Sequence, residues 1–133
     1  MRFWLLIFLI ALIYSVRSQT VVNLDTLKAP AKTDNIYNKV LFNDSLASSF
    51  CIVIKNEVKP HKHQYHSEHV YVIEGEGQMK LGNQEFKIKK SDLIFIPKNT
   101  VHSVKTTSKQ PLKVISIQAP FFDGKDRIIL EEK

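Results

Sequence analysis

From Val40 onward the chain is a series of short β-type runs, each closed by turn residues. That punctuation limits its fold more than any other feature. Phe50 to Lys55 (FCIVIK) and Val70 to Ile73 (VYVI) are rich in β-branched residues, and Gly75-Glu76-Gly77 ends the second run. Gln78 to Leu81 and Gln84 to Lys89 alternate apolar and polar residues across Gly82-Asn83. The alternation predicts a hairpin with Met79, Leu81, Phe86 and Ile88 inward and Lys80, Lys87 and Lys89 in water. Leu93 to Ile96 (LIFI) is continuously apolar and predicts a strand buried on both faces, stopped by Pro97. Val101 to Lys105 and Lys113 to Gln118 complete the set. No window long enough for a helix carries a helical period, so the fold class is all-β, a sandwich or barrel.

The first residues are set apart from that pattern. Phe3 to Tyr14 (FWLLIFLIALIY) is an unbroken apolar run, preceded by Arg2 and followed by Ser15-Val16-Arg17-Ser18. These are the charged flank, apolar centre and small-residue cleavage site of a secretory signal peptide. The run is shorter than the ~20 residues that span a bilayer. Residues 1–18 are therefore expected to be cut before Gln19 on export, leaving no stable membrane anchor and a periplasmic or secreted protein. A retained N-terminal anchor is the alternative. Residues 19–39, with Pro30 and Asn35, read as a loosely structured arm, 40–120 as the barrel, and 121–133 as a C-terminal extension. The extension holds an Asp123-Gly124 turn and the triplet Ile128-Ile129-Leu130, suited to an edge strand or an arm on a partner subunit.

A chain of 133 residues suffices for one such domain and is short for two. Cys51 is the single cysteine, so no internal disulfide forms, and within an apolar strand it reads as a small buried hydrophobe. Asn43-Asp44-Ser45 is a glycosylation sequon that matters only in a eukaryotic secretory route. Signal cleavage takes away Arg2 and Arg17 and no acid, so the net charge of +6 falls by two. The remaining lysines are spread along the chain without interleaved aromatics, which tells against a nucleic-acid partner.

Histidine is distributed otherwise. His61, His63, His66 and His69 crowd one stretch together with Glu68, and His102 stands far off. On a strand His61 and His63 project from one face, about 7 Å apart at their Cα atoms, a spacing that lets two imidazoles converge on one ion. Glu68 lies an odd step beyond His63, so Gln64 to Ser67 must turn for it to share that face. On the following strand Glu68 shares a face with Val70 and Val72, while His69 joins Tyr71 and Ile73 on the other. A carboxylate on an apolar face costs free energy unless a cation or hydrogen bonds meet it. Solvated loop histidines are the plain alternative.

The whole stretch resembles the cupin family. The first cupin motif, His-x-His, three or four residues, Glu, six residues, Gly, is met by His61-Lys62-His63, Glu68 and Gly75. The second, Gly, five residues, Pro-x-Gly, two residues, His, three residues, Asn, is met at Pro97 and His102. Ser91 and Asn99 replace its glycines, Thr106 replaces its asparagine, and Lys55 stands where the first motif often opens with glycine. The resemblance spans Ile52 to Pro120. It implies an antiparallel jelly-roll β-barrel (double-stranded β-helix) with a metal ion in its mouth, held by His61, His63, Glu68 and His102. His66 and His69 match no ligand; His66 is expected in solvent and His69 to point away.

Three nitrogens and a carboxylate oxygen suit one divalent transition metal, whether iron, manganese, nickel, copper or zinc. Open positions remain for a bidentate oxyanion or enediol. The resemblance implies a metal-dependent oxygenase, decarboxylase or isomerase acting on a small oxygen-rich molecule. A non-catalytic ligand- or metal-binding and sensing module is the alternative, because fold does not decide function. The one arginine after the signal, Arg127, lies beyond the barrel strands, which tells against enzymes that clamp carboxylates with arginine. Tyr71 and Ile73 face outward from an apolar strand, as the interface of a homodimer would.

Overall fold

The computed structural model describes residues 21–130, and the expected signal peptide lies outside them. Ten strands follow a single 3₁₀ turn at Leu24–Thr26. They are β1 (Ile36–Asn43), β2 (Ser48–Ile54), β3 (Glu57–Lys62), β4 (Ser67–Glu74) and β5 (Glu76–Leu81). Then come β6 (Gln84–Lys89), β7 (Leu93–Ile96), β8 (His102–Thr106), β9 (Leu112–Ala119) and β10 (Ile128–Ile129). Two five-stranded sheets form, ordered β1-β2-β9-β4-β7 and β10-β3-β8-β5-β6, with every pairing antiparallel. This is the jelly-roll, double-stranded β-helix architecture.

The core lies between the sheets. Ile54, Val72, Met79, Ile88, Ile94, Ile96, Leu112 and Val114 form one buried cluster, drawn from alternate positions of β2, β4, β5, β6, β7 and β9. The β5–β6 hairpin follows its sequence pattern: Met79 and Ile88 are buried, Leu81 and Phe86 pack against the cluster, and Lys80, Lys87 and Lys89 are exposed. β7 departs from its pattern. Ile94 and Ile96 are buried, but Leu93 and Phe95 face solvent, because β7 is a sheet edge and no layer of the described residues covers its outer side. Cys51 is fully buried and free, and burial raises its thiol pKa.

β1 opens at Ile36, before the residue where the sequence places the barrel's start. The arm ahead of it is tied down by specific bonds. Lys113, a buried lysine, donates to Leu24 O at 2.6 Å and pairs with Glu74 at 3.3 Å. Asn35 receives the Asn56 and Glu57 amides and donates to Glu57 O.

Two turns carry the departures from the second cupin motif. Ser91 (φ 75°) and Asn99 (φ 60°) both adopt the left-handed conformation that glycine would supply. A non-glycine residue there costs roughly 1–2 kcal/mol. Bonds between chain segments offset it: Ser91 N donates to Val72 O at 2.9 Å and Asn99 N to His63 O at 2.6 Å.

Candidate metal centre

His61 and His63 flank the end of β3, and His102 opens β8 directly opposite His61 in register. The β3–β8 ladder slips between Val58 and His61, the segment holding Pro60, which has no amide hydrogen to donate. All three rings are buried, and their ligating nitrogens lie within 4.8 Å of one another. Each Nδ1 faces a main-chain carbonyl: His61 to Lys59 O at 2.9 Å, His63 to Asp126 O at 2.5 Å, and His102 to Thr100 O at 3.0 Å. A carbonyl only accepts, so Nδ1 carries the proton and a neutral ring turns its Nε2 lone pair to the shared space. Burial, reinforced by the neighbouring His102, holds His61 down at about 3. Burial likewise lowers His63, against the opposing pull of the Asp126 carbonyl and Glu68.

Glu68, on β4 of the opposite sheet, lies beside two of the three rings. Its Oε2 lies 3.4 Å from His102 Nε2 and 3.7 Å from His63 Nε2, while Oε1 accepts a hydrogen bond from Ser116 on β9. Burial alone would raise its pKa, but hydrogen bonds to His102 and Ser116 and the nearby His102 and His63 rings outweigh that and lower it. These nitrogen–oxygen separations match donor atoms around one ion at bond lengths of ~2.0–2.2 Å. The three histidine nitrogens therefore fit a divalent transition metal, with the Glu68 carboxylate next to two of them.

The turn that lets Glu68 share the histidines' face runs from His63 to His66, and the C-terminal extension builds it. β10 pairs with β3 of its own chain, Ile128 opposite Lys62 and Ile129 opposite His61. The Asp126 carboxylate accepts from Gln64 N (2.9 Å), Tyr65 N (2.7 Å) and His66 Nδ1 (2.6 Å). What burial it has works against the charge, and these bonds more than offset it, holding Asp126 at about 2. His66 also bonds Phe121 O at 2.9 Å, and the Phe122 ring stands edge-on to His63 and His66. The expectation that His66 sits in solvent is thus corrected: it is 7% exposed, because the extension folds over it. His69 points outward against Phe95, as expected.

Behind the four residues lies a cavity of about 140 Å³ walled by Ile52, Ile54, Val58, Met79 and Val114. Gln118 and Arg127 also line it. Arg127 lies outside the barrel strands, as expected, but the extension carries it to the lining of the cavity. Ser116 and Gln118 had a signal in the sequence. They continue the inward face of Leu112 and Val114 on β9, where a polar residue must find a partner. Asp126 and Phe122 had none, since their contacts join residues far apart in sequence.

The family model for the cupin domain matches residues 50–118. A protein of Methanocaldococcus jannaschii is 36% identical over 97 residues, covering 73% of this chain and 75% of that protein. Quercetin 2,3-dioxygenase of Bacillus subtilis is 32% identical over 65 residues, 49% of this chain but 19% of that enzyme. Among solved structures, a double-stranded β-helix protein from Klebsiella pneumoniae superposes with a TM-score of 0.73 at 18% identity, over 86% of this chain and all of that one.

Proposed function

Because the chain belongs to the cupin family, we propose that it is an exported metal-dependent enzyme whose single divalent ion is held by His61, His63, His102 and Glu68. The observation that carries this reading is the set of three buried imidazoles with every Nδ1 on a main-chain carbonyl. Solvated loop histidines would need neither the burial nor the shared tautomer. Such an ion would supply Lewis acidity and a template for a small oxygen-rich substrate. The chain's own residues do the rest. Ser116 and the β4 backbone hold Glu68 in place, the extension orients His63 and closes the turn, and the apolar walls keep bulk water from the reacting end.

Oxygenase, decarboxylase and isomerase chemistry are each compatible with this donor set, and the similarity to a dioxygenase supports the first. Export rests on the flanks of the apolar run at residues 3–14. We include pairing of two copies through the outer face of the first sheet. There Phe95, His69 and Ile117 form one row across β7, β4 and β9, and Leu93, Tyr71 and Ile115 the next. Leu93, Phe95, Tyr71 and Ile117 are exposed, a contiguous apolar patch of the kind that marks interfaces.

Metal content by mass spectrometry, on the untagged chain and a His61→Ala/His63→Ala double variant, tests the centre. One equivalent of iron, manganese, nickel, copper or zinc, lost in the variant, is the expected result. Iron or manganese would direct the next assay to dioxygen uptake, and zinc to non-redox chemistry or a sensing role. Metal-free protein in both cases, after reconstitution with each ion, would refute the assignment.

A further inference from the structure

We infer that Gln118 and Arg127 form a recognition subsite beside the metal centre, and that its ligand is a small carboxylate bearing a neighbouring hydroxyl group. The inference rests on the cavity being the substrate site and adds the substrate's chemical class.

Gln118 lies on β9 directly opposite Glu68 in register, so its side chain enters the cavity next to the ligand carboxylate. It is 6% exposed. Its Oε1 is the one buried side-chain oxygen or nitrogen without a hydrogen-bond partner among the described residues. Leaving an acceptor buried and unpaired destabilises a fold, and native chains rarely do so without a reason. A ligand hydroxyl donating to that oxygen supplies the missing partner.

Arg127 lines the same cavity, and no carboxylate among the described residues pairs with it. The two acids best placed to neutralise it are engaged elsewhere. Asp126, its chain neighbour, is turned onto His66 and the Gln64 and Tyr65 amides. Glu68 faces His63, His102 and Ser116. Arg127 is exposed, at the solvent side of the cavity lining, and its planar fork of donors matches a carboxylate, which accepts two parallel hydrogen bonds. The cavity's volume of about 140 Å³ admits a small molecule, and its aliphatic walls favour an apolar remainder.

Calorimetric titration of the full chain, zinc-loaded and metal-free, with lactate, propionate and lactamide tests each element. Lactate carries both groups, propionate lacks the hydroxyl, and lactamide lacks the charge. Lactate is expected to bind at least about tenfold more tightly than lactamide, the size of a charge-assisted hydrogen bond. Arg127→Gln should abolish that preference and Arg127→Lys restore part of it, with metal content unchanged in both. Gln118→Leu should abolish the preference for lactate over propionate while leaving the melting temperature equal or higher, because the orphan acceptor is gone. Equal binding of lactate and lactamide to the unmodified chain, or no binding of any probe, overturns the subsite without recourse to a variant. So does an Arg127→Gln chain that binds lactate normally. If the chain takes up no metal yet keeps an Arg127-dependent lactate preference, the metal assignment fails and the subsite stands.

Discussion

Each of the three histidines uses one ring nitrogen to bind its own fold, which leaves the other committed to the cavity. A consequence appears in acid. With metal chelated, burial keeps His61 neutral down to about 3 and lowers His63, whereas both take up a proton near the usual ~6.5 once unfolded. The unfolded chain then binds more protons, so stability holds above that value and falls as the pH drops below it. Urea midpoints of the chelated protein are expected to decline from pH ~6.5 toward 4, and His61→Gln to flatten the slope. Asp126, held at about 2, adds its own loss only below the ordinary Asp value, so it steepens the acid end of the profile and leaves the upper part to the histidines. A flat profile through the upper window would mean that these rings are not buried as described.

Among the elements, the C-terminal extension has the largest influence on the site relative to its length. Residues 121–130 supply the carbonyl for His63, the carboxylate for the turn, the aromatic wall and the cavity's guanidinium. Asp126→Asn should lower stability by roughly 1–3 kcal/mol. It should also weaken metal binding by up to about tenfold, because the carboxylate holds the turn between His63 and Glu68 while the main-chain carbonyl on His63 is retained. Thermal melts and competitive metal titration measure the two, and unchanged metal affinity would show that the extension only covers the site. At the other end of the first motif, Gly75 (φ 78°) has no room for a side chain, since a Cβ would meet Pro111 O at 2.6 Å and Leu112 Cα at 2.9 Å. Gly75→Ala is expected to cost more than about 2 kcal/mol in urea unfolding, from the positive φ and the overlap together.

The described residues close their apolar interior between two sheets and leave one outer face partly uncovered. If Leu93, Phe95, Tyr71 and Ile117 pair two copies, sedimentation should show a dimer that a Leu93→Lys/Phe95→Lys variant dissociates with its metal content intact. A monomer at micromolar concentration would remove that pairing from the proposed function. The sequence by itself determined β2 and the strands from β4 to β9, the hairpin's inward face and the crowding of His61, His63 and Glu68, while the two cupin motifs joined His102 to them. All of these rest on local periodicity or on the spacing within the two motifs. Only the tertiary structure decided that LIFI is half-exposed, that His66 is buried, and that Arg127 reaches the cavity. An apolar run looks the same with one covered face or two, because the covering layer comes from elsewhere in the chain. The β10–β3 pairing joins Ile129 to His61, and no local pattern encodes a contact across that separation. It forms because burying Phe122 and satisfying Asp126 against the His63–His66 turn outweighs the entropy of closing so long a loop, which grows only slowly with length.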